Sequence, residues 1–397
     1  MLIFAPVNVN VPDSTRFPKL VRVVLVLATV GVASLWLWSG CRSRSARLAQ
    51  DRPTAFVGLS DLSDFTREPG TAPGELILTS SSLKSPIPWD ELVVSWNTAP
   101  GVALKVEART VYPDHSFADH FTKYYTLGLW SDDPSRNPRE SRNQQRDSDG
   151  TVKVDTLVLS KPTENVQLRL TLTSTNAAAP ARELLHFVGL SFCNSKVHPA
   201  PAAPNRAAWG RVIPVPERRQ AEYEGGSGWC SPTSLSMVMA YWSEDLKRPE
   251  LNQTVPEVAH AIDDASFGTG NWPFNTAYAG EFPGLRAYVS RFNDVSELED
   301  WIAAGIPPIV SVSSYLINNR NSGPDAGHLI VCVGFTSDGD VVTNDPGVSV
   351  KRNERARRIY PRERFVNAWK KSKNAVYLIY PETTKPPPNR AGDWLGK

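Results

Sequence analysis

The chain has 397 residues, a formal net charge of +2, 41% hydrophobic and 21% charged residues. That length allows about two domains with extensions. There is no long basic run in the body, which argues against the clustered basic face of a nucleic-acid binder. Nor is there a G-x-x-x-x-G-K-[ST] phosphate loop or an H-E-x-x-H zinc helix, and no cofactor or metal is expected.

The N-terminus reads as an address. Arg16, Lys19 and Arg22 precede the uncharged stretch Val23–Gly40, and Cys41 follows. A basic start, an apolar core and small residues before a cleavage point describe an export signal over 1–41. Ser39-Gly40-Cys41 resembles the lipobox of bacterial lipoproteins, which implies lipidation of Cys41; Trp38 stands where that motif normally has Leu. An uncleaved anchor is the competing reading, since 18 apolar residues just span a bilayer. Plain secretion is the third. All three place the body outside the cytoplasm, with the membrane as a partner in the first two.

Residues 42–73 are polar and read as a linker. Seven β-type runs follow within 74–195: Glu75–Ser80, Glu91–Asn97, Ala103–Tyr112, Tyr124–Trp130, Val152–Ser160, Val166–Ser174 and Leu184–Cys193. In VQLRLTLTS, Val166, Leu168, Leu170 and Leu172 alternate with Gln167, Arg169 and Thr171, as in a strand with one buried face. The pattern predicts an antiparallel β-sandwich. Asp132–Gly150 reads as a polar protruding loop; an acidic solvated loop is preferred over a Ca²⁺ site made by Asp147, Asp149 and Asp155.

A Pro/Ala-rich linker is expected over 196–211. From 212 to 382 helical patterns come first. Leu235, Val238, Met239 and Trp242 form an i, i+3, i+4, i+7 stripe. Thr254-x-x-Glu257 and Ser296-x-x-Glu299 read as capping boxes, and Gly305 as a helix stop. Strands follow at Ile309–Ser314, His328–Phe335, Val341–Asp345 and Ala375–Tyr380, giving an α+β domain. Residues 383–397 read as a polar tail. The fold class is therefore multidomain.

In GGSGWCSPTS, Cys230 stands at the start of the strongest helix pattern, where the dipole favours the thiolate. The glycines give a ligand close access to the backbone. Removing Cys41 leaves Cys193, Cys230 and Cys332, an odd number, so at least one thiol is outside any intramolecular disulfide. His328 opens an apolar strand after a Gly-rich turn. Asp345 ends the next strand, and a hairpin would bring both to one end of the sheet, with Asn344 as the competing orienter. A thiol, a base and a carboxylate that orients the base are the parts of nucleophilic catalysis.

Gln220 with GWCSPTS, GHLIVCVGF and VVTNDPG resembles the C39-like peptidases, a family with a papain-type cysteine peptidase fold. The resemblance implies Gln220 as oxyanion donor, Cys230 as nucleophile, His328 as base and Asp345 as orienter. GTGNWPFNTAYA also resembles a segment of this group, with Asn271 and Trp272 as candidate cleft residues. The expected function is an exported cysteine peptidase or amidase acting on peptide or protein, possibly cell-envelope material. The alternatives are a surface binding protein with a dormant peptidase-like fold and an acyltransferase using the same three residues. The oligomeric state is not legible.

Overall fold

The computed structural model describes residues 52–112, 120–198, 202–320, 325–389 and 394–396. The export segment 1–41, with Cys41, lies outside the described residues. Asp51–Lys397 forms one compact unit. Among the described residues no helix is long and apolar enough to cross a membrane.

The β-rich region contains β1 (Thr54–Leu59), β2 (Thr66–Pro69), β3 (Glu75–Thr79), β4 (Leu83–Thr98), β5 (Ala103–Tyr112), β6 (His120–Phe121), β7 (Tyr125–Trp130), β8 (Glu140–Ser141), β9 (Gly150–Lys153), β10 (Thr156–Thr173) and β11 (Leu185–Cys193), with the one-turn helix α1 (Ala181–Leu184) before β11. The alternation holds: Val166, Leu168, Leu170 and Leu172 are all fully buried. Hydrogen bonding runs unbroken in the order β1-β11-β4-β10-β5-β7-β8, with β3 and β9 also on β10. One strand serves many partners because β10 is long and broken in register. Thr156–Val158 pair with β4 on one side, whereas Val166–Thr173 pair with β5, and the break between them contains Pro162, which has no N–H to give a ladder. Trp89, Trp96, Trp130 and Tyr125 fill the core.

Several boundaries differ from the sequence reading. β1 and β2 lie in the stretch expected as linker, 42–73. Within the expected tail, Trp394–Gly396 pairs in parallel with β1. Residues 205–209 of the expected linker are anchored: the Asn205 N–H and Trp209 Nε1 donate to the Glu299 carboxylate, at 2.6 and 2.7 Å. Composition read these segments as polar or extended; a few specific donors and apolar side chains tie them down.

The α+β region holds the helices α2 (Cys230–Leu246), α3 (Val255–Ile262), α4 (Trp272–Gly280), α5 (Val295–Ala303), α6 (Ser314–Ile317) and α7 (Arg362–Trp369). Its strands are β12 (Leu285–Arg291), β13 (Ile309–Ser313), β14 (Gly327–Phe335), β15 (Val341–Asn344), β16 (Arg357–Tyr360) and β17 (Ala375–Pro381), and Trp394–Gly396 completes the chain as β18. The antiparallel sheet runs β12-β17-β13-β14-β15-β16. The Thr254/Glu257 capping box forms as read. The Ser296/Glu299 box does not: Asp294 caps α5 by accepting from the Ser296 N–H, and Glu299 is fully buried under Trp209 and Arg362. Gly305, at φ +80°, does end that helix.

The two regions interlock. Phe274 and Ala277 of α4 sit in the β-rich core, with the Phe274 ring 5.4 Å from Trp130 and 6.2 Å from Trp96. Asn97 of β4 imitates a strand partner for β12, donating to the Ala287 carbonyl at 2.7 Å and accepting from its N–H at 3.2 Å. Gly280 makes room for it, since a Cβ there would lie 2.0 Å from Asn97 Nδ2.

Candidate active site

α2 begins at Cys230 with no side-chain cap; Pro232 has no N–H to satisfy, and the Thr233 N–H donates to the Trp229 carbonyl at 3.0 Å. The Ser231 and Leu329 N–H groups both favour the charged form of Cys230. Leu329 lies on β14, and the Ser234 hydroxyl donates to its carbonyl at 3.0 Å, which pins the helix start to the strand. Ser231 is held in turn by Asn275 Oδ1 at 2.8 Å and the Tyr377 hydroxyl at 3.0 Å.

The β14–β15 hairpin brings His328 and Asp345 together, with Val331 opposite Asn344. His328 Nε2 stands 2.7 Å from Asp345 Oδ1, and Cys230 is among the groups that favour the charged imidazole. With Nε2 used by Asp345, Nδ1 is the ring nitrogen left for the sulfur. Asp345 is clasped on every side. Its Oδ1 also accepts from the Gly347 N–H at 2.8 Å, and its Oδ2 accepts from the Tyr360 hydroxyl at 2.5 Å. Gly347 has to be glycine, because a Cβ there would lie 2.8 Å from His328 Cε1.

Electrostatics follow from these contacts. Burial pushes the Cys230 thiol up, but the His328 hydrogen bond and charge, with the two N–H groups, outweigh it and hold the thiol below its ordinary value. Burial likewise opposes the charge on His328, and the Asp345 carboxylate overrides it, so the imidazole is held well above its ordinary value. Asp345 is held low, against burial, by His328, Tyr360 and the Gly347 N–H. Both shifts favour the charged forms of the thiol and the imidazole. The other thiols contrast with Cys230: burial raises Cys193, and pushes Cys332 to about 12. All three are free cysteines, and only Cys230 is partly exposed.

Gln220 reaches the same corner. Its N–H donates to the Pro346 carbonyl at 3.0 Å, beside Asp345, and its Nε2 donates to the Ser227 carbonyl at 2.8 Å, in the loop before Cys230. Gly226 permits this approach, since a Cβ there would lie 2.0 Å from the Gln220 carbonyl oxygen. Cys230, His328, Asp345 and Gln220 thus converge. Asn344 does not join them: it is fully buried and donates to the Val215 and Pro216 carbonyls.

Asn271 sits elsewhere, while the Trp272 side chain is half-buried against the α+β core. Asn271 is wholly buried, where it caps α4 through the Phe274 N–H and donates to Ser141 Oγ at 2.8 Å. The Trp272 N–H is taken by Asp155 at 3.0 Å. Instead of opening on a cleft, Asn271 is sealed in the packing between the two regions. Asp155 is therefore turned towards α4, while Asp147 is occupied by Tyr125, Lys123 and the N–H groups of Asp149 and Gly150, so the aspartates of that loop do not converge.

Residues 212–377 match the Peptidase_C39 like family, and residues 71–189 match the Peptidase C39 N-terminal domain. No curated protein matches the chain. A crystal structure from Bacillus anthracis, provisionally labelled a C39-like peptidase, is 18% identical to it. That likeness covers 42% of this chain and 96% of the other, at a TM-score of 0.31, too low to carry an argument. The two family matches place the α+β region in the Peptidase_C39 like family, with the Peptidase C39 N-terminal domain as the β-rich region ahead of it.

Proposed function

We propose that the protein is a cysteine peptidase or amidase that hydrolyses peptide or amide bonds. The observation that carries this reading is the set Cys230–His328–Asp345, in which the one thiol partly exposed among the described residues is also the one held below its ordinary value. Access supports it: a Cβ added at Gly228, two residues before Cys230, or at Gly327, next to His328, would meet nothing within 4 Å. We read the α+β region as a papain-type domain and the β-rich region as a bent antiparallel sandwich.

In this mechanism Cys230 Sγ attacks the substrate carbonyl carbon, forming a C–S bond while the carbonyl π pair moves to oxygen. The Cys230 N–H and the second Nε2 hydrogen of Gln220 receive the oxyanion. His328 gives its proton to the leaving nitrogen as the C–N bond breaks. Water then attacks the thioester with His328 as base, releasing the acid and restoring the thiolate. Asp345 keeps the imidazole oriented throughout. The export address in residues 1–41 would place this reaction outside the cytoplasm, on peptide or protein substrates.

A thiol-reactive acyl probe tests the reading on the full chain. Cys230→Ala is expected to abolish labelling and cleavage of a peptide library, and Cys332→Ala to leave both intact. Equal labelling of the two variants would remove Cys230 from the nucleophile's role.

A further inference from the structure

Tyr360 is absent from every part of the mechanism above, yet it makes the shortest contact to it. It ends β16, is 8% exposed, and donates its hydroxyl to Asp345 Oδ2 at 2.5 Å. Asp345 is itself 4% exposed. Its two oxygens therefore divide the work: Oδ1 serves His328 and Gly347, and Oδ2 has Tyr360.

A carboxylate turns easily, because its terminal torsion is broad. One whose second oxygen were buried without a donor would turn to find one, at the expense of the bond to His328. Gly347 lies on the other side, where an added Cβ would come within 2.8 Å of His328 Cε1 and 3.2 Å of Asp345 Oδ1. The charges that bear on Tyr360 are Asp345 and, opposing it, Arg358 and Arg364.

We propose that Tyr360 is a positioning residue: by occupying Asp345 Oδ2 it fixes the rotation of the carboxylate, and so keeps His328 aimed at Cys230. This rests on the thiol–imidazole mechanism proposed above.

The test uses the full chain as wild type, Tyr360→Phe, Asp345→Asn and the double variant. Iodoacetamide alkylation of Cys230 is followed by mass spectrometry across pH, with Tm read alongside. Tyr360→Phe keeps the ring and is expected to move the alkylation midpoint up, towards that of an ordinary thiol. The rate at pH 6 should fall about tenfold or more, the scale of one hydrogen bond to a charged group. On the Asp345→Asn background the same change should add nothing. An unchanged midpoint in Tyr360→Phe, whatever happens to Tm, overturns the role. A wild-type midpoint at the ordinary thiol value would instead sink the thiol–imidazole reading itself. If Tyr360→Phe does not fold, the wild-type protein decides. A slowly exchanging, low-field Tyr360 hydroxyl proton that vanishes in Asp345→Asn supports the role, and its absence in the wild type overturns it.

Discussion

The β-rich and α+β regions both bury polar groups, but they use them differently. In the β-rich region several buried polar side chains are spent on the other region. Asn97 binds both backbone groups of Ala287, Asp155 caps the start of α4, and Ser141 joins Asn271 to Asp264. Arg139 donates to the His260, Ala261 and Asp263 carbonyls at the end of α3. These groups satisfy one another and leave nothing over for a ligand. The polar cluster around the site in the α+β region is open at one reactive point, the partly exposed sulfur of Cys230. Reactivity thus arises from a network with one open end, and the closed networks around it hold that end in place.

The largest expected effect breaks the open network. His328→Ala should lower the rate of Cys230 acylation, and any peptide cleavage, about 100-fold or more, as loss of a general acid–base does. A fall of only a fewfold would mean that the helix start alone activates the thiol. The next prediction breaks the closed network. Phe274→Ala removes a ring of α4 from the β-rich core and should cost about 3–5 kcal/mol. Because the two cores share residues, calorimetry should show one transition moved as a whole. Two transitions, only one of them shifted, would show that the regions fold separately.

Smaller effects sharpen the contrast. Asn97→Ala leaves the Ala287 N–H and carbonyl buried without their partner, at about 1–3 kcal/mol in denaturant melts, with no change in the alkylation midpoint of Cys230. Thr254→Ala removes the capping box of α3 for about 1 kcal/mol, again with no change at the thiol.

The open network should also show in the pH dependence of stability. His328 is raised on folding, so its contribution is full below its unfolded value of about 6.5 and is lost as pH rises above that. Asp345 is depressed, so its contribution is present above its unfolded value of about 4 and is lost as pH falls below that. The stability gap between the wild type and His328→Ala is therefore expected to be widest between about pH 4 and 6.5. A gap that does not vary with pH would show that His328 is not coupled to its neighbours.

Much of this was legible in the sequence, for local reasons. Cys230 lies at a helix start, and a hairpin of two short strands fixes where His328 and Asp345 meet; each signal spans fewer than 20 residues. The alternation in β10 announced its buried face. What was not legible depends on distant partners. β16, the RRIY run after a charged stretch, shows no apolar alternation, so Tyr360 had no signal pointing to Asp345. Asn271 stands in a motif that reads as a cleft, yet it is claimed by Ser141, which is 130 residues away. Ser296 and Glu299 have the spacing of a capping box, but Trp209 and Asn205 compete for that carboxylate and Asp294 takes the cap.

The proposed mechanism requires that Cys230 and His328 form an ion pair in the resting protein. The most direct measurement is the rate of Cys230 alkylation against pH in the full chain, read site by site beside Cys332 and Cys193. The structure predicts that Cys230 reacts below the ordinary thiol value of about 8.5, while the two buried thiols stay inert across the same range. A Cys230 midpoint at or above that value, or reactivity shared equally among the three cysteines, would contradict it.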